Sequence, residues 1–169
     1  MAAYYPPAGF HFSVTFELPT VTDKDFRFQE VSGLTASIET QPVKEGGENR
    51  FAHQLPVRSN FEKLVLKRGM VTGSAILFWI RAAVEDFNFA PTNAIITLLN
   101  EQHVPLAAWY VVNAFPVRWS VSNFNAEQSS IVIETLELQY NYFRIIPVPG
   151  ADPEAAERLA KASPLQAAF

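Results

Sequence analysis

The stretch Lys63–Phe87, KLVLKRGMVTGSAILFWIRAAVEDF, decides the fold. Leu64 and Leu66 alternate with Lys63, Val65 and Lys67, the two-residue period of a strand, and the strand stops at Arg68-Gly69. A short MVTGS break follows, in which Thr72 or Ser74 is placed to cap a helix. Beyond it, Ile76, Leu77, Ile80, Val84 and Phe87 recur at helical spacing as one broad apolar stripe, widened by Phe78 and Trp79. Arg81, Glu85 and Asp86 fall at its solvent edge, and Trp79 reads as core packing. It is the only convincing helix of the main body. The expectation is a mainly β protein whose helix covers an open face or end of its sheets.

Upstream, Tyr4-Tyr5-Pro6-Pro7 is a stiff entry segment, released at Gly9 into a strand over Phe10–Leu18. Phe10, Phe12, Val14, Phe16 and Leu18 point one way; His11, Ser13, Thr15 and Glu17 point the other. A polar turn over Pro19–Asp25 leads to Phe26 and Phe28, and the run ends at Val31–Leu34, where Gly33 takes a bulge or a positive φ. Leu34–Val43 is a further strand, with Leu34, Ala36, Ile38 and Thr40 on one face. Thr35, Ser37, Glu39 and Gln41 form a polar face that meets water or a water-filled passage.

Lys44–Arg58 breaks the alternation and reads as one long loop. Loops of that length in compact domains are commonly functional. Lys44, Glu45, Gly46, Gly47, Glu48, Asn49, Arg50 and Phe51 are the candidate subunit-contact residues, with Phe51 and Leu55 as apolar anchors beside His53. The Gly46-Gly47 pair lacks the Lys-Ser/Thr that a phosphate-binding loop requires.

Downstream, Ala94–Leu99 is a short apolar strand, and Asn100–His103 is a hairpin-like connection. Val104–Val112 is apolar on both faces, Asn113–Pro116 interrupts it, and Val117, Trp119 and Val121 resume alternation. The final strand, Ile131–Ile146, changes phase between Ile133 and Leu136. That predicts a bulge near Glu134-Thr135, the alternative being a Glu134 that faces a polar passage. Residues 1–149 form one β domain. Residues 150–169 form a C-terminal extension with a short helix, capped by Asp152, started by Pro153 and ending near Ala162.

Composition narrows the function. With 169 residues, 49% hydrophobic and 18% charged, the chain can build one full core. Fourteen Phe exceed what a single small core needs, which leaves some for burial between subunits. A net charge of −4 without a basic patch argues against specific nucleic-acid binding. With no Cys, neither disulfides nor thiolate metal sites are possible, which fits assembly in the cytoplasm. No stretch approaches the roughly 20 apolar residues of a membrane segment, and MAAYYPPAGF is not a secretory signal. His11, His53 and His103 lie on separate elements, no Ser sits in a GxSxG elbow, and strand residues Glu17, Glu30, Glu39 and Glu134 read as solvated. The expectation is no enzyme, no cofactor, no metal and no catalytic residue.

One order of features carries a resemblance: YPPAGFHFSVTFE (Tyr5–Glu17), FQEVSGL (Phe28–Leu34), the GGEN loop with Leu55-Pro56, LVLKRG (Leu64–Gly69), the helix with Phe78-Trp79-Ile80, and WYVVNAFPVRW (Trp109–Trp119). Over about residues 4–146 the chain resembles the inner tail-tube proteins of contractile phage tails and of phage-tail-like extracellular contractile injection systems. The resemblance implies an antiparallel β-sandwich or barrel-like tail-tube fold with one flanking α-helix. It implies a homo-oligomeric, hexameric ring that stacks on neighbouring rings inside a sheath, as part of a phage tail or an extracellular phage-tail-like particle. Phe10–Glu17 and Leu34–Val43 would then help line the lumen, and the Lys44–Pro56 loop would touch neighbouring subunits. The inserted ELPTVTDKD turn and the 147–169 tail resemble the baseplate-proximal tube initiator, which joins the spike hub and baseplate proteins to the tube. The alternatives are the bulk tube subunit and a monomeric β-barrel that binds a small apolar ligand.

Overall fold

The computed structural model describes residues 11–19, 27–44, 46–47, 50–125, 127, 131–146 and 148. The entry segment at Tyr4–Pro7, the turn residues 20–26 and the expected helix in 150–169 lie outside the described residues. In chain order the elements are β1 (Phe12–Phe16), β2 (Glu30–Ser32), β3 (Ala36–Val43), β4 (His53–Phe61), β5 (Leu64–Gly69), α1 (Ala75–Val84), β6 (Thr92–Leu99), β7 (Pro105–Val121), β8 (Ile133–Gln139) and β9 (Tyr142–Ile146). The protein is mainly β, antiparallel throughout, with one helix among the described residues.

Seven strands form one sheet in the order β1-β6-β7-β8-β5-β2, with β9 also paired to β7. Strand β7 carries the architecture. Its first part pairs with β6 on one side and β9 on the other, and its second part pairs with β8. The interruption expected at Asn113–Pro116 is a bend within one continuous strand. Asn113 takes a left-handed φ of 54°, which Asn tolerates better than most residues. The register then shifts between Pro116 and Arg118, where proline has no N–H for the ladder. The bend lets both parts of the sheet share one core. Val14, Phe16 and Ile96 come from one part, Leu64, Leu66, Leu136 and Leu138 from the other, and Ile76 and Ile80 from the helix.

The final run is two strands, broken at Tyr140-Asn141, and β8 keeps a regular register through Glu134 and Thr135. The expected bulge is therefore absent. Glu134 shares its inward face with Leu136, Leu138 and Tyr140, while Ile131 is exposed. The apparent phase change came from reading an outward isoleucine as core and a buried carboxylate as solvated.

That carboxylate belongs to a buried polar chain. Arg68 Nε donates to Glu134, and Arg68 Nη2 donates to Ser74 Oγ at 2.7 Å. Glu134 also accepts from Trp119 Nε1 at 3.1 Å, and the guanidinium lies 5.4 Å from the centre of the Phe28 ring. Ser74 is the N-cap of α1, its hydroxyl accepting from the Leu77 N–H at 3.2 Å. One arginine at the end of β5 thus fixes the start of the helix to β8.

The helix buries Ile76, Trp79, Ile80 and Ala83. The expected stripe is rotated, since Val84 and Phe87 are exposed. The rotation follows from Trp79, whose indole N–H donates to the Ala90 carbonyl at 2.8 Å while its ring lies 5.8 Å from Phe16. Each fully buried large side chain of this face contributes about 1.5–3 kcal/mol relative to exposure.

Removing one member of the buried pair strands the other charge. Glu134→Gln or Arg68→Met is expected to lower stability by about 3–5 kcal/mol in urea unfolding. The double change Arg68→Met with Glu134→Leu is expected to recover most of that loss. Additive single and double effects would contradict the pairing.

Candidate assembly surface

Strands β3 and β4 form a separate two-stranded arm. Its root is closely specified. Gly33 has φ +88°, and a Cβ there would sit 1.9 Å from the Lys63 carbonyl oxygen, so only glycine fits. Across the root, Tyr140 OH donates to the Gly33 carbonyl at 3.3 Å, and Phe61 packs against Tyr140 and Phe143. The positive φ expected at Gly33 is observed, and its role is to close the base of the arm.

Beyond the root the arm leaves the core. The register runs from Ala36 opposite Phe61 to Val43 opposite His53, with a shift between Glu39 and Thr40 that leaves Val57 as the extra residue. Arg58 Nε donates to Glu39 at 2.6 Å across the ladder. All eight residues of β3 are exposed, and both Ile38 (66%) and Leu55 (52%) face solvent. Neither face of β3 is therefore apolar-in, contrary to the alternation expected for Leu34–Val43. The long loop expected over Lys44–Arg58 is corrected too. His53 onwards is strand, because Gln54, Leu55 and Pro56 find partners in Pro42, Gln41 and Thr40. An isolated two-stranded hairpin is marginally stable in water, and among the described residues no further strand pairs with this arm.

The candidate contact residues cluster at its tip. Lys44 follows β3, Gly46 and Gly47 form the turn with Gly47 at φ +94°, and Arg50 and Phe51 lead into β4. All five are exposed, and the Phe51 ring packs edge-on against His53 at 5.1 Å. Glu45, Glu48 and Asn49 lie outside the described residues.

A second surface was not legible in the sequence. Between the end of β1 and α1 lies an apolar recess of about 600 Å³, lined by Leu18, Pro19, Gly73, Ala75, Phe78, Trp79 and Ala90. Phe78 is 62% exposed there, and Phe87 and Phe89 precede Ala90 in an edge-on pair at 4.9 Å. Helical periodicity assigned Phe78 to a broad inward stripe; only the rotation set by Trp79 turns it outward.

The strand carboxylates Glu17 and Glu30 and two of the histidines have partners within the chain. Glu17 accepts from Asn93 Nδ2 at 2.7 Å and from Tyr110 OH at 3.2 Å, and Glu30 accepts from Lys67 at 2.9 Å. His11 and His103 come together, with ring centres 4.3 Å apart. Among the described residues no group of three or more His, Asp or Glu is placed to hold a metal, and no helix is long and apolar enough to cross a membrane.

Tyr140 provides a test of the arm root. Burial pushes its hydroxyl pKa above the usual value near 10, and the charge of Glu62 adds to the rise. The neutral form is the one the fold favours. Its stabilisation is fully present below about pH 10 and is lost as pH rises through the folded-state value. In alkaline unfolding, Tyr140→Phe is expected to shift the fall in stability to higher pH. An unchanged alkaline limb would show that Tyr140 does not couple the root to pH.

Comparison with known proteins agrees with this architecture. Residues 8–144 match the family described as T4-like virus tail tube protein gp19. A chain in the cryo-EM structure of the anti-feeding prophage baseplate, 6-fold symmetrised, superposes with a TM-score of 0.76 at 30% identity, covering 86% of this chain and 99% of that one. A chain from the anti-feeding prophage tube-terminating cap gives 0.73 at 26%, covering 86% of this chain and 94% of that one. A chain from the PVC extracellular contractile injection system, in the sheath-tube complex in its extended state, gives 0.72 at 25%, covering 87% of this chain and 95% of that one. A search of curated protein sequences gives no match.

Proposed function

The chain belongs to the T4-like virus tail tube protein family, and we propose that it acts as the tube-initiator ring of a contractile injection apparatus. Six copies form a ring that joins the spike hub and baseplate to the tube and offers the surface on which tube rings stack inside the sheath. The observation that carries the initiator reading is the likeness over 99% of a chain from a 6-fold symmetrised baseplate, at higher identity than to the chain from the sheath-tube complex. The work is mechanical rather than catalytic, as in the structural family to which the chain belongs. Assembly takes place in the cytoplasm. The finished ring is a component of a phage tail or of an extracellular phage-tail-like particle.

In this reading the arm tip, Lys44–Phe51, is the subunit-contact element. Its ladder needs a covering surface, and a neighbouring subunit supplies one. The polar Ser37, Glu39 and Gln41 of β3 then face the aqueous lumen. Residues 150–169 form a separate extension that meets the different partner on the hub side.

Negative-stain imaging of the purified protein, alone and with its spike and baseplate partners, distinguishes the roles. Rings confined to the baseplate end are expected; long tubes from this chain alone would assign it to the bulk tube instead. Deleting Gly46–Asn49 is expected to leave a folded monomer by circular dichroism that no longer forms rings. Intact rings from the deletion would remove the tip from the interface.

A further inference from the structure

We propose that His11 and His103 form a two-imidazole site for a divalent late transition-metal ion, copper(II) or nickel(II), which clamps the start of β1 to the β6–β7 turn. The site stands apart from the way copies of the chain assemble.

No spacing motif links the two histidines, because they lie on separate elements; the sheet register brings them together. Strand β1 pairs with β6 from Phe12 opposite Leu98 to Phe16 opposite Ala94. One residue before that ladder, the His11 carbonyl accepts from the Leu99 N–H at 2.8 Å. Leu99 ends β6 and leads straight into the turn at 100–104, which carries His103. The imidazoles meet across this end of the sheet, their centres 4.3 Å apart and their planes at 86°.

The turn holds its histidine firmly. Asn100 Oδ1 accepts from the N–H groups of Gln102 at 2.9 Å and Val104 at 2.8 Å. The Asn100 carbonyl accepts from the His103 N–H at 3.0 Å. His103 takes φ 63°, a left-handed conformation in which Asn, Asp and His are enriched. Both ligand backbones are thus fixed before an ion arrives, which lowers the ordering cost of binding. His11 is half-buried and His103 exposed, so the pair is open to solvent.

The ring separation selects the ion. A metal about 2.0 Å from an imidazole nitrogen lies about 3.2 Å from the centre of that ring. Two rings at a right angle around it have centres about 4.5 Å apart, and two at a tetrahedral angle about 5.2 Å apart. The observed 4.3 Å falls beside the right-angled value. Right angles between neighbouring ligands belong to the square-planar and octahedral geometries that copper(II) and nickel(II) adopt, whereas zinc favours the tetrahedron. Rotation about χ2, which is broad for histidine, lets each ring turn a nitrogen towards the shared ion. Water completes the coordination, and Glu101 adds a negative charge on the same turn. Among the described residues β1 is an edge strand, bonded to β6 alone, so an ion at this point secures the end of a strand held on one side only.

Calorimetric titration of the untagged chain with copper(II), nickel(II) and zinc chlorides tests the site. One copper ion per chain is expected, with nickel and zinc weaker. His103→Asn, which tolerates the left-handed turn, and His11→Gln are each expected to weaken copper binding at least about tenfold, because one of two ligands is lost. Their circular dichroism spectra are expected to stay unchanged. His53→Gln, on the arm, is expected to bind as the wild type does. Electron paramagnetic resonance of the copper-bound chain is expected to show two imidazole nitrogens, and one in either variant. Binding is expected to weaken as pH falls from about 7 to about 5, since protons compete for the same nitrogens. Absence of copper binding, or binding that survives both His11→Gln and His103→Asn, would overturn the site. A loss in His53→Gln equal to that in the other two variants would do the same. Zinc bound more tightly than copper would overturn the right-angled geometry on which the proposal stands.

Discussion

The pairing of Arg68 with Glu134 ties β5, β8 and the start of α1 together inside the core. Two charges inside a hydrophobic core are tolerable only when each satisfies the other, and here the geometry that satisfies them also sets the fold. Arg68 ends β5, Glu134 lies on β8, and the same guanidinium reaches Ser74 at the start of α1. The helix can therefore begin at only one place relative to the sheet. From that start, Trp79 turns inward to Phe16 and Ala90, and Phe78 turns out into the recess. A buried polar chain thus defines an apolar surface at some distance from it.

The arm obeys the opposite logic. The body is over-determined by the bent β7, the shared core and the buried pair, whereas the arm has one ladder and no core of its own. Its root is rigid because Gly33 and Tyr140 fix it, and its outer length is exposed on every residue of β3. This division of a densely bonded body and a marginal projection fits the proposed role of a subunit whose arm is fixed on assembly. The exposed phenylalanines, in excess of what the core uses, are intelligible on the same grounds.

Much of this was legible in the sequence, and the failures have physical causes. Alternation placed β1 and β5, and a cap at Thr72 or Ser74 with helical spacing placed α1, because local patterns report local structure; of the two, Ser74 is the N-cap. The resemblance to the tail-tube family rests on an order of features whose most specific pieces are Glu30–Leu34, Leu66–Gly69 and Asn113–Pro116. Burial of Glu134 is not legible locally, because a lone carboxylate on a strand is solvated unless a distant cation neutralises it, and Arg68 lies 66 positions away. The continuity of β7 was hidden by Asn113 and Pro116, which mimic a break when the sheet bends at them. Alternation signals burial on one face, and among the described residues the outer arm has none, so the sequence pattern does not mark His53–Arg58 as strand. The recess depends on helix rotation, which is set by tertiary contacts.

In the proposed assembly the β3–β4 arm acquires its covering surface from another subunit. Hydrogen exchange of the arm amides, compared between the monomer and the assembled ring, measures this directly. Rapid exchange over Ile38–Val43 and His53–Arg58 is expected in the monomer, with protection by at least about tenfold in the ring, equivalent to about 1.4 kcal/mol. Equal protection in both states, with the body amides unchanged, would contradict it.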